Sequence, residues 1–102
     1  MFPSHDQSAN LLLSNENDTD GDSASIGFSM LSNNTYVKSG IFFERTTTQG
    51  RGSLHLAVNN EVNGNNVTKT DAKLTINNSG NVGIGTTDPE RRLNVGDRDW
   101  ET

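Results

Sequence analysis

The chain contains no cysteine, and its 102 residues include only two prolines, four phenylalanines, one tyrosine and one tryptophan. Without cysteine, disulfide bonds and thiol chemistry are excluded. No apolar run approaches the roughly 20 residues of a membrane helix. The leucines at positions 11–13 form too short a run for the core of a signal peptide, and no basic flank precedes them. We therefore expect no membrane insertion.

Positive charge is also scarce. Eight Lys and Arg residues face 13 Asp and Glu residues, which gives a formal net charge of −5 at pH 7. Proteins that bind nucleic acid usually present a basic face to the phosphates, and no such face is evident here. The composition therefore predicts no nucleic-acid partner.

Apolar side chains are few as well, at 29% of residues. A monomer of this size buries roughly 60–70% of its unfolded surface. Here that would bury many Asn, Ser and Thr side chains, at about 1–3 kcal/mol for each polar group left unpaired. Either the chain is partly disordered or its core is shared between copies, and the regular strand patterns favour a shared core.

Short segments of alternating apolar and polar residues, separated by turn residues, run along the whole chain, as in all-β proteins. Apolar residues never repeat at helical spacing for three turns, so little or no helix is expected. Strands are predicted over 9–14, 24–31, 36–38, 40–46, 53–58 and 67–77, and over the short stretches around 82–84 and 93–95. Within 53–58 we expect Leu54, Leu56 and Val58 to point inward and Ser53, His55 and Ala57 outward. Asn63-Gly64 suits a type I′ hairpin turn, and 32–34 suits another turn.

These patterns predict one domain at most. An N-terminal arm over 1–8 precedes the β domain over 9–95, and a charged tail over 96–102 follows it.

One acidic loop has the spacing of a calcium site. Asp18, Asp20 and Asp22 place carboxylates at alternate positions around Gly21, and hard oxygen ligands spaced in this way can wrap Ca²⁺. The twelfth position of an EF-hand loop would be Gly27, however, and no helices flank it, so a solvated turn is the alternative. No other cofactor is predicted, because Gly83-Ile84-Gly85 lacks the third glycine of a dinucleotide loop.

No catalytic arrangement stands out, and we expect no enzyme. His5 and His55 are the only histidines, and neither stands at metal-ligand spacing. The paired carboxylates of a glycoside hydrolase are also missing. Tyr36, Phe42 and Trp100 are candidates for stacking on sugar rings, which would suit a non-catalytic glycan-binding module; the alternative is that they pack between strands or lie in the tail.

The most informative stretch runs over residues 78–95. Val82 and Ile84 alternate with Gly83 and Gly85, and two glycines in one strand suggest that another backbone comes very close. The stretch resembles the SGNVGIGTTxPxxxLxV element of phage tail fibres and tailspikes, which commonly precedes an intramolecular chaperone domain of the endosialidase type. The matching residues are Gly80, Asn81, Val82, Gly83, Ile84, Gly85, Thr86, Thr87, Pro89, Leu93 and Val95.

The resemblance covers about the last quarter of the chain and implies a virion protein. It implies an elongated, intertwined homotrimer, similar to a β-prism or β-sandwich, in a tail fibre or tailspike that attaches to the host. Other virion proteins, and a host surface glycan, would be its partners. The self-cleaving Ser and Lys of the chaperone domain would lie beyond this chain, so none is assigned. A capsid decoration or head-fibre protein is the alternative.

The trimer axis is predicted at Val82, Gly83, Ile84, Gly85, Leu93 and Val95. In this interpretation the two glycines let three backbones converge where side chains have no room. Each inward residue of the strands would meet its symmetry copies along the axis, and burial of this apolar area would be the main stabilising term.

Overall fold

A computed structural model describes residues 9–31 and 36–96. The predicted arm over 1–8, all of the predicted turn at 32–34 and nearly all of the tail over 96–102 lie outside these residues, as do His5 and Trp100.

Six strands form one sheet in the order in which they follow along the chain. The strands are β1 (Ser23–Phe28), β2 (Ser39–Arg45), β3 (Gly52–Val58), β4 (Ala72–Ile76), β5 (Val82–Ile84) and β6 (Leu93–Val95). Neighbours from β1 to β5 are antiparallel, whereas β5 and β6 are parallel. Helical structure in the described residues is limited to two short 3₁₀ turns, Thr48–Gly50 and Lys69–Asp71. The all-β prediction is confirmed.

Three local predictions were wrong, and one of them is the separate strand over 36–38, which does not form. The segment over 9–14 does not join the sheet and is exposed along its length; three consecutive leucines lack the alternation that places a strand on a half-buried surface. Asn63-Gly64 does not form a tight hairpin, because residues 59–71 connect β3 to β4. Neither residue has the positive φ that a type I′ turn requires.

The strand register sorts the side chains into two faces. One face carries two continuous rows that cross all six strands, and we call it the apolar face. Its first row is Ile26, Ile41, Leu56, Leu74, Ile84 and Val95, and its second row is Ala24, Phe43, Leu54, Ile76, Val82 and Leu93. Neither row contains a charged or amide side chain.

The opposite face carries mostly polar or small side chains, and we call it the covered face. Its central row is Ser25, Phe42, His55, Thr75, Gly83 and Asn94. Loops of the same chain lie across it, so that His55 is 3% exposed, Ala57 2% and Thr75 0%. The single chain therefore buries the centre of this face and leaves its apolar face open.

The assignment of faces in β3 is thus the reverse of the prediction. Ser53, His55 and Ala57 are buried, whereas Leu56 and Val58 are exposed. The alternation itself was predicted correctly. The faces are reversed because the small residues of the covered face allow loops to pack directly on the sheet. At Gly27, for example, an added Cβ would lie 2.7 Å from the side chain of Val37.

Candidate functional site

The open apolar face carries more exposed large apolar side chains than any other part of the described chain. Large apolar side chains on all six strands keep 36–59% of their surface exposed: Ile26, Phe28, Phe43, Leu56, Val58, Ile76, Ile84, Leu93 and Val95. Single exposed apolar residues are ordinary, but a contiguous apolar patch marks an interaction site. The exposed fractions add up to about four fully exposed side chains, whose burial would contribute about 6–12 kcal/mol per chain as an upper estimate.

The structure divides the predicted trimer-axis residues between the two faces. Val82, Ile84, Leu93 and Val95 belong to the rows of the apolar face, so these four remain candidates for contact with a second copy. They are joined there by residues of β1 to β4 that the prediction had not included.

Gly83 lies on the covered face, apart from those four residues. An added Cβ would lie 2.6 Å from the carbonyl oxygen of Thr86 and 3.2 Å from Cβ of Pro89. A backbone does approach Gly83 closely, as expected, but it belongs to the same chain and not to a sister copy. Gly85 has a φ of 78°, which serves the turn that follows β5.

Two asparagines hold this loop against the sheet. The side-chain amides of Asn77 and Asn81 both donate to the carbonyl oxygen of Pro89, each at 3.2 Å. Oδ1 of Asn77 accepts from the backbone N–H of Ser79 and of Asn81, both at 3.0 Å. The loop between β5 and β6 is therefore folded back over Gly83, and β6 returns parallel to β5. Parallel strands usually need a longer crossover of a dozen or more residues.

A polar network fills the centre of the covered face. Ring nitrogen Nδ1 of His55 lies 2.8 Å from Oγ1 of Thr75, and Nε2 lies 2.9 Å from Oε1 of Glu44. The other carboxylate oxygen of Glu44 accepts from Nζ of Lys69 at 3.0 Å, and Lys69 also donates to the carbonyl oxygen of Gly21. The prediction that His55 is a surface residue was wrong.

The charge of Glu44 is stabilised by this network. Partial burial acts to raise the pKa of Glu44, but hydrogen bonds from His55 and Lys69 and their positive charges outweigh it and hold the pKa below its ordinary value. Hydrogen bonds link Thr75, His55 and Glu44 in the order of a nucleophile, a base and an orienting carboxylate. The Thr75 hydroxyl is fully buried, however, and offers no access to a substrate. The network ties β2, β3 and β4 to the turn before β4.

Sequence reasoning missed this network, although one signal was present. His55 was assigned to an outward position of its strand, Glu44 follows Phe43 in the alternation, and Thr75 follows Leu74. Three hydrogen-bonding side chains on one face of adjacent strands could have suggested a buried polar cluster.

The acidic loop is paired with an arginine. Nη1 of Arg45 lies 3.2 Å from Oδ1 of Asp18, and Nε lies 3.1 Å from Oδ1 of Asp20. The backbone N–H of Asp22 instead closes a turn on the carbonyl of Thr19. Within 9–31 and 36–96, no three His, Asp or Glu side chains come together as metal ligands. The calcium site stays a prediction that these contacts do not support.

Two of the aromatic candidates for sugar stacking, Tyr36 and Phe42, lie in the described ranges. Tyr36 is 39% exposed, whereas Phe42 is on the covered face with its ring 3.0 Å from the Cβ position of Gly40. Phe42 therefore packs against the sheet, and the glycan-binding prediction gains no cluster among the described residues.

No family of known proteins matches this chain, and no curated protein is similar to it. Within the described residues, neither 3₁₀ turn nor any other helix has the length and apolarity of a membrane span.

Proposed function

We propose that this chain is a non-enzymatic structural segment of a bacteriophage tail fibre or tailspike that takes part in host attachment. Three copies assemble with their apolar faces turned towards a common axis. The single observation that carries the proposal is a six-stranded sheet that leaves large apolar side chains exposed on the same face of every strand.

The arrangement of the two faces supports assembly over a monomeric role. The covered face already has its loops, its hydrogen-bonded polar network and its close-packed glycines. The opposite face exposes Leu56 and Ile84 at its centre, at 42% and 45%. A protein that worked as a monomer would carry polar residues at these positions, as antiparallel sheets with one solvated face do.

The resemblance of residues 78–95 to the fibre element supplies the number of copies and the virion setting. Val82, Ile84, Leu93 and Val95 match that element and lie on the apolar face. These residues of the element therefore lie on the same apolar face as the exposed side chains of β1 to β4.

The test is the mass of the protein in solution. Sedimentation equilibrium over a range of micromolar concentrations should give three times the 11.1 kDa of one chain. Far-UV circular dichroism on the same samples reports whether the chain is folded. A folded monomer across that range contradicts the proposal.

Antibody labelling of virions in the electron microscope tests the location. Label on the tail is expected. Label on the capsid surface would instead assign the chain to the decoration or head-fibre class, with the same assembly but another position.

A further inference from the structure

Two further apolar features lie at opposite ends of the strands, and the second continues the apolar face at Phe28 and Val58. The first is the leucine segment over 11–13, whose side chains are 75%, 57% and 48% exposed. None of the backbone hydrogen bonds found outside the strands of the described chain involves this segment. Its last residue, Leu13, lines a cavity together with Ala24 and Phe43, which places the segment at the end of the sheet where β1 begins.

The second surface is a groove at the end of the sheet where β1 finishes. The groove has a volume of about 340 Å³ and is lined by Phe28, Met30, Leu31, Tyr36, Lys38 and Val58, with Ser39 beside them. Met30 is 97% exposed and Val58 51%. A cavity of about 150 Å³ can admit a benzene molecule, so this groove has room for two leucine side chains.

The chemistry of the groove favours an apolar occupant. Its single charged residue among those described, Lys38, directs its ammonium to oxygens of the loop that follows β3: the carbonyl of Asn65 at 2.6 Å and Oδ1 of Asn63 at 3.2 Å. A sugar would need several hydrogen-bonding groups around it, whereas an aliphatic side chain needs none. Glu16, three residues after the last leucine, carries the charge opposite to that of Lys38.

One chain cannot bring its own leucines to its own groove without leaving this arrangement. β1 has six residues, which corresponds to about 20 Å of extended chain, and the two surfaces lie beyond its opposite ends. A contact between them therefore joins two copies, head to tail.

Cyclic symmetry with three copies requires a contact of this kind, because each interface then joins two different surfaces. On the basis of the proposed trimer, we infer that the leucine segment of one copy fills the groove of the next. Three such contacts close a ring in which the strands run across the axis and the apolar faces point towards it. The leucine segment and the groove then form the corners of a prism.

The absence of natural cysteine permits a direct test with the full chain. The double variant Leu11→Cys/Met30→Cys is treated with a short bis-maleimide and run on a denaturing gel. A covalent trimer is the expected product, because each copy links to both neighbours. Each single variant, Leu11→Cys or Met30→Cys, should give no trimer.

A matched control moves the second cysteine away from the groove. Leu11→Cys/Ser79→Cys carries it at an exposed position of the turn between β4 and β5, at the end of the sheet opposite the groove, and should give no covalent trimer. Equal cross-linking in the two double variants would overturn the assignment of the groove.

Three other outcomes would also refute the contact between the leucine segment and the groove. A monomer bridged within itself, a ladder that continues past the trimer, or no cross-linking at all would each overturn the ring of leucine-to-groove contacts. Sedimentation of the unmodified protein distinguishes a failure of this contact from a failure of the trimer. A trimeric mass without cross-linking refutes only this contact, whereas a monomeric mass refutes the trimer as well.

Discussion

Replacing Leu56 with aspartate tests the apolar face most directly. Leu56 lies in the middle of its row, between Ile41 and Leu74, and is 42% exposed. In the separate chain the new carboxylate reaches water, so the single sheet should tolerate it. In the assembly, three carboxylates would be enclosed near one axis.

The magnitude follows from two contributions. Burial of the remaining surface of Leu56 is worth about 1 kcal/mol per copy, in proportion to the 1.5–3 kcal/mol of a whole apolar side chain. Removing an unpaired carboxylate from water costs several kcal/mol more, and the like charges repel one another. A loss of about 3 kcal/mol per copy weakens association roughly a hundredfold for each copy.

Sedimentation equilibrium at a series of concentrations measures this loss. Leu56→Asp should be largely monomeric where the parent chain is trimeric. Val62→Asp is the matched control, because Val62 is fully exposed on the loop between β3 and β4 and should leave the mass unchanged. If Leu56→Asp kept the parent's mass and concentration dependence, the apolar face would not be the interface and the reasoning would fail.

Three further predictions concern the covered face. His55→Ala should lower the free energy of unfolding by about 2–4 kcal/mol, because it leaves a void and removes the ring partner of the buried Thr75 hydroxyl and of one carboxylate oxygen of Glu44; urea unfolding measures this, and an unchanged midpoint would contradict it. Gly83→Ala should destabilise the chain by about 1–3 kcal/mol, since its Cβ would meet the Thr86 carbonyl oxygen at 2.6 Å. Gly64→Ala, with its nearest atom at 3.5 Å, is the control in thermal unfolding. Because the folded pKa of Glu44 lies below 4.5, its ionised form stabilises the fold above that pH, and this stability is lost as the pH falls through the folded pKa. Glu44→Gln should therefore flatten the acid side of the stability profile, and an equally steep loss in the variant would show that other carboxyl groups are responsible.

The strand pattern was predictable because side chains alternate between the two faces of a strand. Ile26, Ile41 and Leu56 could be assigned to one face without any structure, and the sheet places them in one row. The glycines at 83 and 85 likewise indicated close backbone approach or unusual turns, which the structure contains.

The partners of these residues depended on contacts between distant parts of the chain. Arg45 pairs with Asp18 across 27 positions, and Pro89 accepts from Asn77 across 12. Spacing along the chain gives no information about such pairs.

Local pattern thus determined which residues share a face, since the two-residue period is a property of the extended backbone alone. Only the tertiary structure decided which face the chain covers for itself. Loops can rest on the face that carries Gly27, Gly40, Ala57 and Gly83 because its side chains leave room, and the larger aliphatic side chains opposite remain open to another copy.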